Sequence, residues 1–202
     1  MAGLFFSYYN IEMQTLDFNT ISLFPTIIGS CVNIPLAEKV LPFAKEILSN
    51  PQNLTNTWNY KNTYNNQNIP RTLVYKELES FIFDVSNTFS NNILHSNKRF
   101  SDIQLFFSEM NYGDRHIQHT HPNSILSGVF YLEVPESSSC LRIHDPRPYS
   151  QYISYQTNHP SMDPFYDIKP QKGLFLIWQS WVPHEVLKNL SEGRTTAVFN
   201  IV

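Results

Sequence analysis

Two helices followed by a run of short strands is the architecture this sequence predicts, with the helices packed on an antiparallel sandwich or barrel. Three observations carry it. Apolar residues recur at helical spacing in two stretches, both before residue 95. After residue 100, five segments rich in β-branched and aromatic residues follow, each bounded by turn residues. The chain has 202 residues, 42% of them hydrophobic, which is enough apolar material for one domain with a real core.

In chain order, residues 1–19 read as a leader of uncertain structure, and residues 20–202 as the single domain. TISLFPTIIGS (20–30) reads as a short strand broken by Pro25. Asn33-Ile34-Pro35 then opens a helix over about 36–49, because Asn caps well and Pro is tolerated in the first turn. Leu36, Val40, Phe43, Ala44, Ile47 and Leu48 form its apolar stripe, and Ser49-Asn50-Pro51 ends it. Residues 51–71 are Asn-rich and carry Trp58, Tyr60 and Tyr64; a loop of this length implies a lid or a functional segment. A second helix covers about 73–94, with Leu78, Phe81, Ile82, Val85, Phe89 and Ile93 on one stripe. The β core then occupies about 100–202, through strands at 102–111, 125–134, 140–145, 173–179 and 194–202.

Composition removes several function classes. Lys and Arg number 14 against 17 Asp and Glu, for a net charge of -3, and no basic stripe is visible. Nucleic acid is therefore not an expected partner, and a nucleic-acid demethylase is disfavoured. No window approaches the ~18 apolar residues of a membrane span. The start lacks the basic region of a secretory signal, and Cys31 and Cys140 form neither a disulfide framework nor a CxxC site. A reducing, cytoplasmic location is the expectation. There is no GxGxxG, P-loop, GxSxG or HExxH.

The chemistry concentrates in DRHIQHTHPN (114–123). His119 and His121 are two apart, so an extended strand points both to one face, as a metal requires. Two polar histidines at a strand end is the plain alternative. By the same alternation His116 faces away, towards the surface. His184 follows the apolar strand GLFLIW and a turn, and Arg194 stands ten residues beyond it, with Thr196 on the same strand face. A guanidinium fork binds a carboxylate bidentately, and in an apolar barrel it is costly unless it meets an anion. Trp178, Trp181, Tyr131 and Phe130 are candidates for pocket lining, against a core role. His95, His144 and His159 read as solvated, and Asp145-Pro146-Arg147 as either a substrate contact or a turn.

LFPT (23–26), HTHPNSILSGVFYL (119–132), HDPRP (144–148), WQSWVPHEV (178–186) and RTTAVFN (194–200) together resemble the 2-oxoglutarate- and Fe(II)-dependent oxygenases. More narrowly they resemble a branch found in marine bacteria and phages. The resemblance implies a double-stranded β-helix (jelly-roll, cupin-like) core packed by two N-terminal helices. It implies Fe(II), 2-oxoglutarate and O2 as cofactors. The reaction would hydroxylate a peptide side chain (prolyl, for example) or a small metabolite, releasing succinate and CO2.

His119, His121 and His184 would hold the iron. Arg194, with Thr196, Tyr131 and Asn200, would bind the co-substrate. One departure stands out: His121 occupies the place of the family's usual carboxylate ligand. Either His121 is the third ligand, or Asp145 supplies a carboxylate, or His121 is the first ligand and Asn123 or water completes the set. The first needs no rearrangement of an extended strand and is preferred. The alternative function is a cupin-like metal-binding module, or a three-histidine dioxygenase that does not use 2-oxoglutarate. Partners would be a small molecule or peptide, with no membrane, and the oligomeric state stays open, a homodimer included.

Overall fold

The computed structural model describes residues 24–147 and 163–202. The leader 1–19, residues 20–23 of the first predicted strand, and His159 lie outside them. Strand β1 (Ile28–Val32) leads into helix α1 (Ile34–Ser49). Asn33 caps that helix by accepting from the Leu36 amide at 3.1 Å. A 3-10 turn (Pro51–Asn53) and the two-residue strand β2 (Lys61–Asn62) break up the Asn-rich segment. Helix α2 (Leu73–Ile93) is capped by Thr72, whose hydroxyl accepts from the Tyr75 amide. Then come β3 (Ile103–Met110), β4 (His116–His119), β5 (Leu126–Glu133), β6 (Leu141–His144), β7 (Phe165–Ile168), β8 (Leu174–Gln179), β9 (His184–Val186) and β10 (Arg194–Ile201).

The strands form two antiparallel sheets, with orders β1-β8-β5-β10-β3-β2 and β4-β9-β6-β7. This is the jelly-roll core with two N-terminal helices that the sequence predicts. The helices cover one face of the six-stranded sheet: Val40, Ala44, Leu78 and Ile82 join Phe107, Phe130, Phe175, Ala197 and Phe199 in one buried cluster. The other face meets the second sheet, where Val129, Tyr131, Leu176 and Trp178 pack with Leu141, Ile143 and Val182. β5 is therefore buried on both faces along almost its whole length. Gly128 makes this possible, since a Cβ there would collide with the Leu176 carbonyl and the Phe199 ring.

Strand alternation divides the large sheet cleanly. Gln104, Phe106, Ser108 and Met110 on β3, and Arg194, Thr196, Val198 and Asn200 on β10, face a cavity between the sheets. β3 and β10 pair in register, Arg194 opposite Met110 and Thr196 opposite Ser108. The short strands β4, β7 and β9 were not among the five predicted. They are three or four residues long and carry little apolar pattern.

Candidate metal centre and its pocket

β4 ends at His119, which lies opposite His184, the first residue of β9. His121 stands two residues further on, in a turn fixed by its amide donating to the Ser180 carbonyl at 3.0 Å. Asn123 closes that turn in the left-handed region (φ 66°), which Asn tolerates better than most residues. One ring nitrogen each from His119, His121 and His184 falls within 4.8 Å of the others. Among the described residues this is the one such cluster of potential metal ligands.

The rings are aimed by their second nitrogens. His119 Nδ1 lies 2.8 Å from the Ile117 carbonyl, and His184 Nδ1 lies 2.9 Å from that of Val182. A carbonyl can only accept, so both Nδ1 atoms carry the proton and both Nε2 lone pairs are left to the pocket. Asn200 lies near enough to His121 to favour its protonation slightly, and both line the cavity. Asn200 is itself held by the Ser127 hydroxyl at 2.9 Å and by Gln104 at 2.9 Å.

His121 Nε2 and His184 Nε2 approach to 3.2 Å. Two inward lone pairs at that distance repel unless a proton or a cation lies between them. Adjacent ligands on a metal with bonds of about 2.1 Å stand roughly 3 Å apart, so the spacing suits a metal. Burial also keeps the imidazoles neutral. It lowers His184 to about 2 and His121 to about 4, with neighbouring imidazoles adding to the effect, and it lowers His119 as well. Neutral imidazole is the form that binds metal.

The geometry moves three sequence expectations. His116 does not face away: its ring stacks on His119 at 4.0 Å and lines the cavity. A register shift between His116 and His119 breaks the strand alternation that the expectation relied on. Burial pushes His116 to about 3, and its Nδ1 is 2.9 Å from the Tyr60 hydroxyl. His144 is only partly solvated, since its Nε2 meets Glu185 at 3.1 Å, while His95 is exposed. Of the aromatic candidates, Trp178 and Tyr131 line the cavity, Phe130 faces the helix-packed core, and Trp181 is half-exposed. Asp145 is not brought to the imidazoles: Arg147 binds its carboxylate through Nε and Nη2 at 2.9 and 2.6 Å.

The opposite end of the cavity is built for an anion. Arg194 is 2% exposed. Its Nη1 points at the Met110 sulfur at 3.4 Å, and its Nε has no hydrogen-bond partner. The guanidinium lies 5.1 Å from the Tyr131 ring centre. It is close enough to bias the Tyr131 hydroxyl, yet no hydrogen bond of acceptable geometry joins them, and that hydroxyl is also buried without a partner. Thr196 shares a 2.8 Å hydrogen bond with Ser108 alongside. Unpaired buried donors of this kind are costly, and a carboxylate would satisfy them. Arg194, Thr196, Tyr131 and Asn200, the co-substrate residues implied by the resemblance, all line this cavity of about 280 Å³.

Residues 104–200, which contain every one of these groups, match the family described as "Putative 2OG-Fe(II) oxygenase". The β core belongs to that family. The chain is thus a 2-oxoglutarate-dependent dioxygenase, with Fe(II), 2-oxoglutarate and O2 as its cofactors. Solved structures place this oxygenase in the same fold. A Pseudomonas putida prolyl-4-hydroxylase superposes with a TM-score of 0.60 at 14% identity, over 87% of this chain and 92% of that one. A Trichoplax adhaerens prolyl hydroxylase, solved with a peptide fragment of the hypoxia inducible factor oxygen degradation domain, gives 0.61 at 16%, over 86% and 82%. An alpha ketoglutarate dependent epimerase of nogalamycin biosynthesis, solved with Fe3+ and alpha ketoglutarate, gives 0.59 at 11%, over 87% and 79%. At these identities the likeness concerns the fold. No curated protein matches the chain. No helix among the described residues is long and apolar enough to cross a membrane.

Sequence reasoning read Trp58, Tyr60 and Tyr64 only as parts of a lid-like loop. All three line the cavity. Three aromatic residues within seven positions of an otherwise polar segment were the available signal.

Proposed function

We propose that the oxygenase holds Fe(II) on His119, His121 and His184 and anchors 2-oxoglutarate on Arg194, and that it hydroxylates a C–H bond of a peptide side chain or small metabolite. The observation that carries this reading is the shared cavity: three convergent neutral imidazoles at one end and an unpaired buried guanidinium at the other. When bound, Fe(II) with O2 couples oxidative decarboxylation of 2-oxoglutarate to insertion of one oxygen atom into the substrate, leaving succinate and CO2.

The chain's own residues do the rest. The Ile117 and Val182 carbonyls fix the tautomers of His119 and His184, and the His121 amide's bond to the Ser180 carbonyl fixes the backbone that carries His121. Arg194 offers its fork to the far carboxylate, and the Tyr131 and Thr196 hydroxyls are placed to add hydrogen bonds. Trp178, edge-on to His184 at 4.8 Å, helps keep water from that ligand. A site so pre-positioned loses little on loading.

The test is thermal denaturation with Zn(II), a redox-inert surrogate, with and without 2-oxoglutarate. A ligand that binds only the folded state stabilises it, so the co-substrate should raise the melting temperature of the zinc-loaded protein and not of the metal-free one. Succinate should then form with Fe(II) and air. Metal binding without any response to 2-oxoglutarate would leave a cupin-like module or a dioxygenase that works without that co-substrate.

A further inference from the structure

The buried guanidinium of Arg194 is steadied by a sulfur. Met110 lies opposite Arg194 in the pairing of β3 with β10, and its Sδ is 3.4 Å from Arg194 Nη1. Each residue is 2% exposed, and both line the cavity. A thioether is a weak acceptor. It holds one arm of the fork without satisfying it, whereas a carboxylate or carbonyl at this position would compete with the co-substrate. Around the contact, buried donors stand without acceptors: Arg194 Nε and the Tyr131 hydroxyl have no hydrogen-bond partner.

Oxidation turns that weak acceptor into a strong one. A lone pair on the sulfur attacks one oxygen of hydrogen peroxide. The S–O bond forms as the O–O bond breaks, and the second oxygen leaves as water with both hydrogens. Sulfur gives up two electrons and the peroxide gains them. The step needs no ionised sulfur, so it escapes the burial that raises the thiols of Cys31 and Cys140 and slows their attack. In an apolar core a sulfoxide is a lesion, because its polar oxygen meets no donor. Beside Arg194 and Tyr131 the donors are already there. The new oxygen also takes up room in a cavity of about 280 Å³ that has to hold the co-substrate.

Resting on the oxygenase reading above, we infer that Met110 is an oxidative modification site: peroxide converts it to the sulfoxide, which occupies the Arg194 guanidinium and shuts out 2-oxoglutarate until a methionine sulfoxide reductase removes the oxygen. Bound 2-oxoglutarate covers the way to the sulfur and so slows its oxidation. The metal end is carried by β4, the turn after it and β9, and is untouched by the change.

The experiment treats full-length, zinc-loaded protein with hydrogen peroxide; zinc is redox-inert, so no metal-driven radical chemistry competes. Mass spectrometry of the Met110 peptide reads the gain of one oxygen atom, and calorimetry reads 2-oxoglutarate affinity. A thiol reductant added before titration reverses oxidation of the cysteines to disulfide or sulfenic acid and leaves the sulfoxide in place. The oxidised fraction should bind 2-oxoglutarate at least about tenfold more weakly, with the zinc content unchanged, and the reductase should restore binding. Oxidation of Met110 should be slower with 2-oxoglutarate present. Met110→Leu, a volume-conserving change, should show no further loss on peroxide treatment, whatever its starting affinity. If that variant does not fold, the wild-type time course decides, since lost affinity must track the oxidised fraction of Met110 and of no other residue. Met110 that stays unoxidised, oxidation without loss of 2-oxoglutarate affinity, or an equal loss in Met110→Leu overturns this inference and leaves the oxygenase reading standing. A zinc-loaded protein that does not bind 2-oxoglutarate before treatment removes both.

Discussion

Replacing Arg194 by Met tests the co-substrate site at its least replaceable atom group. In the wild type the guanidinium is buried, its Nε lacks a partner, and its neighbours are the Met110 sulfur and the Tyr131 ring. Two charge-assisted hydrogen bonds to a carboxylate contribute about 1.5–3 kcal/mol each net. Part of that is recovered by water reaching the carboxylate in the variant. The expected loss is therefore roughly 2–5 kcal/mol, or about 30- to 5,000-fold in the dissociation constant of 2-oxoglutarate. Arg194→Lys keeps the charge, loses the fork and should fall between the two.

The same structure gives this prediction a second, opposite arm. Without ligand, Arg194 is a buried charge with an unsatisfied donor, so Met should relieve about 1–3 kcal/mol in the metal-free protein. For a chain of this size that raises the melting temperature by several degrees. Calorimetric titration under nitrogen and thermal melts read the two arms. Weakened 2-oxoglutarate with a melting temperature held or raised fits a ligand-binding arginine. Unchanged 2-oxoglutarate affinity, or a cooperative fold lost in the variant, refutes the reasoning.

Three other perturbations follow from the geometry. His184→Ala and His121→Ala should each weaken Zn(II) by at least about 100-fold, while Asp145→Ala leaves it within about threefold; metal lost on changing Asp145, with the fold intact by circular dichroism, would put a carboxylate into the ligand set. The pocket imidazoles titrate below their ordinary value near 6.5, with His121 at about 4 and His184 at about 2, because burial disfavours the cation. Above pH 6.5 neither the folded nor the unfolded chain protonates them. Below it the unfolded chain takes up protons that the folded chain refuses, so metal-free stability should fall as pH drops from 6.5 towards 4. Zinc binding should persist to about pH 5, and a steep loss already at pH 6, followed by titration, contradicts the burial argument. Gly128→Ala should destabilise by about 1–3 kcal/mol, seen as a lower melting temperature, because its Cβ meets a backbone carbonyl that cannot move aside.

Much of this centre was legible because extended backbone has a period of two. RTTAVFNI shows its two faces in the letters alone: Arg194, Thr196 and Asn200 on one side, Ala197, Phe199 and Ile201 on the other. His119 and His121 converge as the spacing predicts, but β4 stops at the first of them and the turn opened by His121 completes the approach. His116 was misread because the period fails at a register shift, which no residue between Ile117 and His119 announces. The strands β4, β7 and β9, of three or four residues each, are too short to declare themselves. The aromatic lining at Trp58 was visible as composition, but its destination depends on β2 joining the sheet edge, a contact with a strand more than forty residues away.

The interleaving on β10 has a consequence for how this molecule can change. Chemistry and fold stability are written on alternate letters of one eight-residue word. Exchanging a pocket letter such as Val198 leaves Ala197 and Phe199 in the helix-packed core, so new specificities can be sampled without repacking the scaffold. The arrangement tolerates spelling changes but not a shifted frame. One inserted residue near Thr195 would turn Phe199 and Ile201 into the cavity and send Thr196 and Asn200 against the helices. Substitution is therefore an open route for this site, and single-residue insertion in β10 is a closed one.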